Sequence, residues 1–315
     1  MKKSLFFTCI FILIATIGLN SCKKDKPSPT GDFTFVLDGF SATFTSTVTN
    51  TTTYLWDFGD QGTSTEANPV HHYIVSGTYT VKLTITGEGG KIIATKIVEI
   101  LPSFDEMLTG GPTAINGKTW VLSKAYIDTL DGGSVIEPTM FLVQGTVPDV
   151  LTTIGLGSEY DNEFTFFSNG DYKINLKNDT ALTALLYGYY GGAVALYKAA
   201  NNALGLGTSS YTAPASSSWT LHTENLVVDA VTNPLGADIP AIHGNVTFTG
   251  KKWISLSEGA YFGILDFPTT RKFIIKRISP TSMSVALFIC AYWTDAAGSG
   301  SLPTWLYHLT FVPKS

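Results

Sequence analysis

Residues 78–86 alternate strictly: Tyr79, Val81, Leu83 and Ile85 are apolar, while Thr78, Thr80, Lys82, Thr84 and Thr86 are polar. A side-chain period of two is that of a strand buried on one face. Ser103 to Leu108 predicts a helical turn, and Thr109-Gly110-Gly111-Pro112-Thr113 then breaks the chain. The pattern restarts at Asn116-Gly117-Lys118-Thr119-Trp120-Val121-Leu122. Further strands are predicted over Glu163–Phe167, Asp171–Leu176, Ser218–Leu221, Asn225–Asp229, Asn245–Thr249, Trp253–Leu256, Lys272–Ile278, Met283–Trp293 and Trp305–Val312. Asn169-Gly170-Asp171 is a hairpin turn signal between two of them. Short, turn-bounded strands of this kind predict a β-sandwich or a barrel. Trp120 and Trp219 are assigned to its core.

Two stretches depart from the period of two. Asp179 to Gly207 is rich in Ala and Leu at helical spacing, with Asp179 or Thr180 as N-cap and Gly188, Gly191 and Gly192 interrupting it. It predicts a helical insertion packed on the β domain or lining its mouth. The other is the start of the chain. Met1-Lys2-Lys3 is basic, Leu5 to Ile17 is an apolar run too short for a stable spanning helix, and Leu19-Asn20-Ser21-Cys22 follows. The first two parts read as a secretory signal peptide. The last resembles a bacterial lipobox, which implies cleavage before Cys22 and lipid on the Cys22 sulfur. Residues 23–31, with three lysines and two prolines, form an extended tether without packing residues.

Composition narrows the class. The chain has 315 residues, 14% charged and 12% aromatic, enough for about two domains after a leader. A net charge of −5 gives no reason to expect nucleic acid as a partner. Of three cysteines, Cys9 leaves with the leader and Cys22 carries lipid, so Cys290 has no disulfide partner. Cys290 ends a run apolar on both faces and reads as a packing residue.

The stretch around the alternating strand carries a resemblance. Trp56-Asp57-Phe58-Gly59-Asp60, then Pro69, His71 and Tyr73, then Gly77, Tyr79, Val81 and Leu83 resemble the PKD domain, an immunoglobulin-like sandwich of extracellular proteins. Gln61 stands where that family usually has glycine. The resemblance implies a spacer role. Asp57 and Asp60 read first as residues that hydrogen-bond backbone amides in the turn Gly59 to Gly62, with calcium ligation as the lesser alternative. His71 and His72 point to opposite faces of a strand and read as structural, so no metal site or cofactor is expected.

Downstream, Lys118 to Leu122, Tyr160 to Phe166 with Asn169-Gly170, Ser218-Trp219-Thr220-Leu221, Phe273 to Ile278, and Trp305-Leu306-Tyr307-His308 resemble the C-terminal domain of PKD-containing surface lipoproteins of Bacteroidota. The order also resembles a lipocalin. The expected architecture is therefore all-β: signal peptide 1–21, tether 22–31, PKD domain 32–101, linker 102–114, and a lipocalin-like barrel or β-sandwich over 115–315. The resemblance implies an outer-membrane lipoprotein at the cell surface. It would bind a polysaccharide or oligosaccharide beside a SusD-like protein and a TonB-dependent transporter.

Sugar binding needs flat rings for the C–H face of a pyranose. The candidates are Trp293, Trp305, Tyr292, Tyr261, Tyr189 and Tyr190, with Trp293 and Trp305 flanking the loop Thr294 to Gly300. An alternative, glycoside hydrolysis, rests on Glu159, Asp161 and Glu163. Their E-x-D-x-E spacing resembles that of some retaining β-glucanases, in which alternate residues of one strand put the carboxylates on one face. Retaining hydrolysis needs two carboxyl groups about 5–5.5 Å apart. A third reading is a structural or adhesion lipoprotein.

Overall fold

The computed structural model describes residues 25–127, 130–142, 144–145, 147–184, 205–232, 242–267, 271–290 and 302–315. Leu101 ends one compact unit and Pro102 begins a second.

The first unit contains β1 (Thr30–Asp38), β2 (Ser41–Thr49), β3 (Thr53–Asp57), β4 (Thr63–Ser64), β5 (Val70–His72), β6 (Gly77–Gly87) and β7 (Gly90–Ile100). They form two antiparallel sheets, ordered β1-β2-β5 and β4-β3-β6-β7. Phe33, Phe44, Trp56, Phe58, Tyr73, Val81, Leu83 and Ile85 fill the space between them. The alternation in β6 is realised: Val81, Leu83 and Ile85 are buried, with threonines and Lys82 on the other face. The Trp56 indole N–H donates to the Glu66 carbonyl at 2.8 Å, so the largest core ring leaves no polar atom unpaired.

The second unit opens with a short helix, Phe104–Thr109, closed by a capping box between Ser103 and Glu106. Leu108 of this helix lies in the unit's core, and its carbonyl accepts from the Trp120 indole at 2.9 Å. The residues 102–114 thus pack with the second unit. Its strands are β8 (Lys118–Leu122), β9 (Gly132–Val135), β10 (Gln144–Gly145), β11 (Glu163–Phe166), β12 (Asp171–Asn175), β13 (Thr180–Ala184), β14 (Leu206–Ser210), β15 (Ser217–His222), β16 (Leu226–Thr232), β17 (Ile242–Phe248), β18 (Lys252–Leu256), β19 (Lys272–Ile278), β20 (Met283–Ile289) and β21 (Trp305–Pro313).

Eight of them, β8-β11-β12-β15-β18-β19-β20-β21, pair antiparallel in that order, and β21 returns to pair with β8. The sheet is closed. Closure removes the exposed edges that an open sheet would present. Of the two architectures expected, the barrel is the one that forms. Its interior is packed by Trp120, Phe164, Phe166, Tyr172, Phe262, Phe273, Leu287 and Phe311.

A second apolar cluster explains why β19 and β20 read as apolar on both faces. Ile274, Ala286, Phe288 and Leu306 point outward from the barrel, and Leu226, Val228, Val246 and Phe248 of the hairpin β16–β17 cover them. Cys290, at the end of this run, is fully buried.

The two ends of the segment predicted as a helical insertion are a correction. Thr180–Ala184 and Leu206–Ser210 are antiparallel strands, and residues 185–204 lie outside those described. Asp179 sits in the left-handed region at φ 54° and turns the chain rather than capping a helix. The other edge of β13 is used as well: Leu265 donates its amide to the Leu182 carbonyl at 2.8 Å, and Ala184 donates to the Leu265 carbonyl at 3.0 Å. Tertiary pairing on both edges overrides a helical propensity worth only tenths of a kcal/mol per residue.

Candidate functional site

The turn at Gly59 to Gly62 in the first unit is fully accounted for by hydrogen bonds. Asp57 Oδ1 accepts from the Gly59 amide at 3.0 Å, and Asp60 Oδ1 accepts from the Gly62 amide at 2.9 Å. Asp60 Oδ2 lies 2.7 Å from His71 Nε2, and the His71 ring stacks on Phe58 at 4.0 Å. Burial pushes the Asp60 carboxyl up, but the bonds to His71 and Gly62 outweigh it and hold its pKa below the ordinary value. These residues act as turn and core residues. No group of three His, Cys, Asp or Glu able to hold a metal occurs among the described residues. Gly59 is required here, because a Cβ would meet the Thr80 carbonyl oxygen at 2.9 Å. Gln61 adopts φ 76°, a conformation that glycine would hold without strain.

The stacking candidates divide. Cys22, Tyr189, Tyr190, Tyr292 and Trp293 lie outside the described residues. Tyr261 and Trp305 are described, and both are buried. Tyr261 packs edge-on against Phe164 and Tyr211 at 5.6 and 4.9 Å. Trp305 lies against Gly133, where an added Cβ would come within 2.5 Å of the indole nitrogen. Neither ring offers a free face to a sugar: Tyr261 is enclosed by core aromatics and Trp305 is covered beside β9.

The shared carboxylate face is also corrected. Gly157–Asp161 is a single 3-10 turn, and the strand begins only at Glu163. The three carboxylates therefore enter three environments. Asp161 is exposed. Glu159 is buried and accepts from Asn162 Nδ2 at 2.7 Å and Thr180 Oγ1 at 2.8 Å; loss of hydration raises its pKa. Glu163 is clamped by Lys177 at 2.7 Å and Lys314 at 2.5 Å, with Asn175 at 2.9 Å. Burial opposes its ionisation, but the two ammonium groups and the amide prevail and bring its pKa down to about 2. Glu163 joins the end of β12 to the C-terminus, a fastening role.

A different feature emerges beside β21. Both β8 and β9 pair with it: β8 lies opposite Phe311 to Pro313, and β9 opposite Trp305 to His308. One strand position is thus filled twice, with an excursion between Leu122 and Gly132. At that interruption a cleft of about 60 Å³ opens, walled by Leu122, Tyr126, Leu151, Tyr160, Leu182, Leu206, Ile264, Tyr307 and Leu309.

Buried polar contacts pin the far end of the excursion. Asp131 accepts from Thr310 Oγ1 at 2.7 Å and from the Ile127 amide at 2.9 Å, and Thr310 meets Ser284 at 2.9 Å. Lys276 Nζ donates to the Leu130 carbonyl at 2.9 Å. Ser134 Oγ and His308 Nε2 are 2.8 Å apart. Burial raises the Asp131 carboxyl and lowers the Lys276 ammonium, and it brings His308 down to about 3, so its imidazole is neutral. None of these residues stood out in the sequence as a site residue. The available signal was a polar subset, Lys276, Ser284, His308 and Thr310, on the outward positions of otherwise apolar strands.

Comparison with known proteins bears on the first unit. A family model, the PKD domain, matches residues 38–101. Residues of the chain are 63% identical over 38 positions to a collagenase of Bacillus cereus, ColA, covering 12% of this chain and 4% of that protein. They are 35% identical over 78 positions to the pre-pro-metalloprotease PrtV of Vibrio cholerae, covering 24% of this chain and 8% of that protein. The chain thus spans under a tenth of these curated relatives, and their names describe them alone. Among solved structures, the PKD1 domain of the same Vibrio metalloprotease is 33% identical over 24% of this chain and 98% of its own, with a TM-score of 0.23. A structure of carbohydrate-binding modules from the β-sandwich superfamily aligns over 92% of both chains at 13% identity and a TM-score of 0.24, which carries no functional argument. The family model falls on the segment that holds the Trp56-to-Tyr79 core: residues 38–101 are a PKD domain, followed by an eight-stranded closed barrel.

Proposed function

We infer that this is an exported, non-catalytic glycan-binding protein. The PKD domain is its spacer and the barrel its binding unit. In this reading Cys22 carries the lipid that holds the chain at the outer membrane, facing outward, and the ligand is an extracellular polysaccharide or oligosaccharide. A SusD-like protein and a TonB-dependent transporter are the expected companions.

The observation that carries the non-catalytic half is the engagement of the carboxylates. Glu159 is buried under Thr180 and Asn162, and Glu163 is neutralised by two lysines. A retaining hydrolase needs a free pair, one ionised and one protonated, facing one sugar. The glycan half is supported by the aromatic residues Tyr292 and Trp293, which fall in sequence between β20 and β21. The contrast between two variants tests it. Trp293→Ala should weaken retention on glycan by about tenfold or more, the loss of one stacking ring. Glu163→Gln should leave retention unchanged, with no reducing ends released by either protein. Turnover by the wild type that Glu163→Gln abolishes would overturn the proposal.

A further inference from the structure

The geometry points to a second ligand site, in the cleft between β8 and β9, for a compact apolar molecule: a short hydrocarbon chain or a single ring. This site is independent of the glycan reading. Its walls are aliphatic and aromatic, with Leu122, Leu151, Leu182 and Leu206 beside Tyr126 and Tyr160. Three buried polar side chains, Asp131, His308 and Thr310, stand beside them, and most of their bonding capacity is already used. Each Asp131 oxygen holds a donor, Thr310 bonds Asp131 and Ser284, and the neutral His308 imidazole is tied to Ser134 through Nε2, which leaves its Nδ1 unpaired. A polyol entering here would lose its water and find little beyond His308 Nδ1 for its several hydroxyls, too few partners to repay the loss. An apolar body loses nothing of the kind and gains by leaving water.

Size limits the class. A cleft of about 60 Å³ is well under the roughly 150 Å³ cavity that takes benzene whole. A chain of a few carbons, or one edge of a ring, is enclosed, and the rest projects past the mouth. The mouth itself is polar on one side. Exposed Lys124 stands there with its ammonium 5.5 Å from the Tyr160 ring, and Asp149 turns its carboxylate to Thr152 at 2.7 Å. The ligand's polar end therefore stays in water. The axial interior of the barrel is not the site, since Phe164, Phe262, Phe273 and Phe311 fill it.

The test is titration of the purified protein with straight-chain alcohols from butanol to octanol, read by methyl NMR with labelled leucine and by calorimetry. Affinity should rise about fourfold per added CH₂ until the cleft is full and then level off. Shifts should concentrate on the methyls of Leu122, Leu182, Leu206 and Leu309, and spare exposed Leu55. Ala125→Trp, at an exposed lining position, should abolish these shifts while leaving the rest of the spectrum unchanged. Should that variant fail to fold, the shift pattern of the wild type decides alone. Absence of saturable shifts, shifts dominated by Leu55, or unaltered binding by folded Ala125→Trp would each overturn the site. Glycan retention does not enter any of these outcomes, so the two readings fail separately.

Discussion

The two units build their cores from different distances along the chain. In the PKD domain, Trp56, Phe58, Tyr73, Tyr79, Val81 and Leu83 come from one stretch, and their rings meet in a continuous chain: Trp56 on Phe58, Phe58 on His71, His71 on Tyr73, Tyr73 on Tyr79. In the barrel, Trp120 and Leu122 meet Phe311 across the whole unit, because β8 pairs with β21. A local core can be specified by a short motif. A closed barrel is specified only when its first and last strands find each other, and such long-range closure is entropically costly to form. The two strands that close it, β8 and β21, each read as a strand, but nothing in either announces the other as its partner.

The largest expected effects test that difference in assembly. Trp56→Ala and Trp120→Ala each remove a fully buried indole and should cost about 3–5 kcal/mol. Hydrogen exchange should show the first loss across β1 to β7 and the second across the barrel strands. Equal loss in both units from either substitution would break the comparison.

Ionised groups sharpen it at the next level. Glu163 has a folded pKa lowered to about 2, so its contribution is fully present above the ordinary carboxylate value. It is lost as pH falls from about 4.5 toward 2. Because Lys177 and Lys314 are partly exposed, its worth is about 1–2 kcal/mol. Glu163→Gln should lower the barrel's melting temperature at pH 7 and flatten its decline in acid. Asp266 runs the other way. Burial raises its pKa to about 7, against the hydrogen bonds from Cys290 and Phe267. Its stabilising protonated form is fully present below the ordinary carboxylate value and is lost as pH rises through about 7. Asp266→Asn should remove that slope, seen by melting across pH 4–8.

The smallest effect belongs to the PKD turn. Gln61 holds φ 76° at a cost of about 1–2 kcal/mol for a side chain there. Gln61→Gly should recover about 0.5–1 kcal/mol after the entropy of glycine is charged against it. A denaturant midpoint that falls would contradict the strain.

Legibility in the sequence follows the same division. The alternation of β6, the Asn169-Gly170 hairpin and strands such as Lys272–Ile278 were readable because each depends on neighbours along the chain. The hairpin β13–β14 was not: its Ala and Leu residues fit a helix equally well until Leu265 pairs with its outer edge. Glu159 and Glu163 have a spacing that suggests one face only if the strand begins early, and the 3-10 turn at Gly157–Asp161 prevents that. Tyr261 falls outside the predicted strands and Trp305 beside the loop Thr294 to Gly300, so both read as accessible, yet both are buried. The cleft was invisible for a related reason. It arises where two strands share one partner, and no residue announces such an arrangement.

The most direct measurement is affinity electrophoresis of the purified protein through gels containing a panel of polysaccharides, with reducing ends assayed in parallel. The account predicts retardation by one glycan class and no release of reducing ends. Unretarded migration on every glycan, or release of reducing ends from any of them, would contradict it.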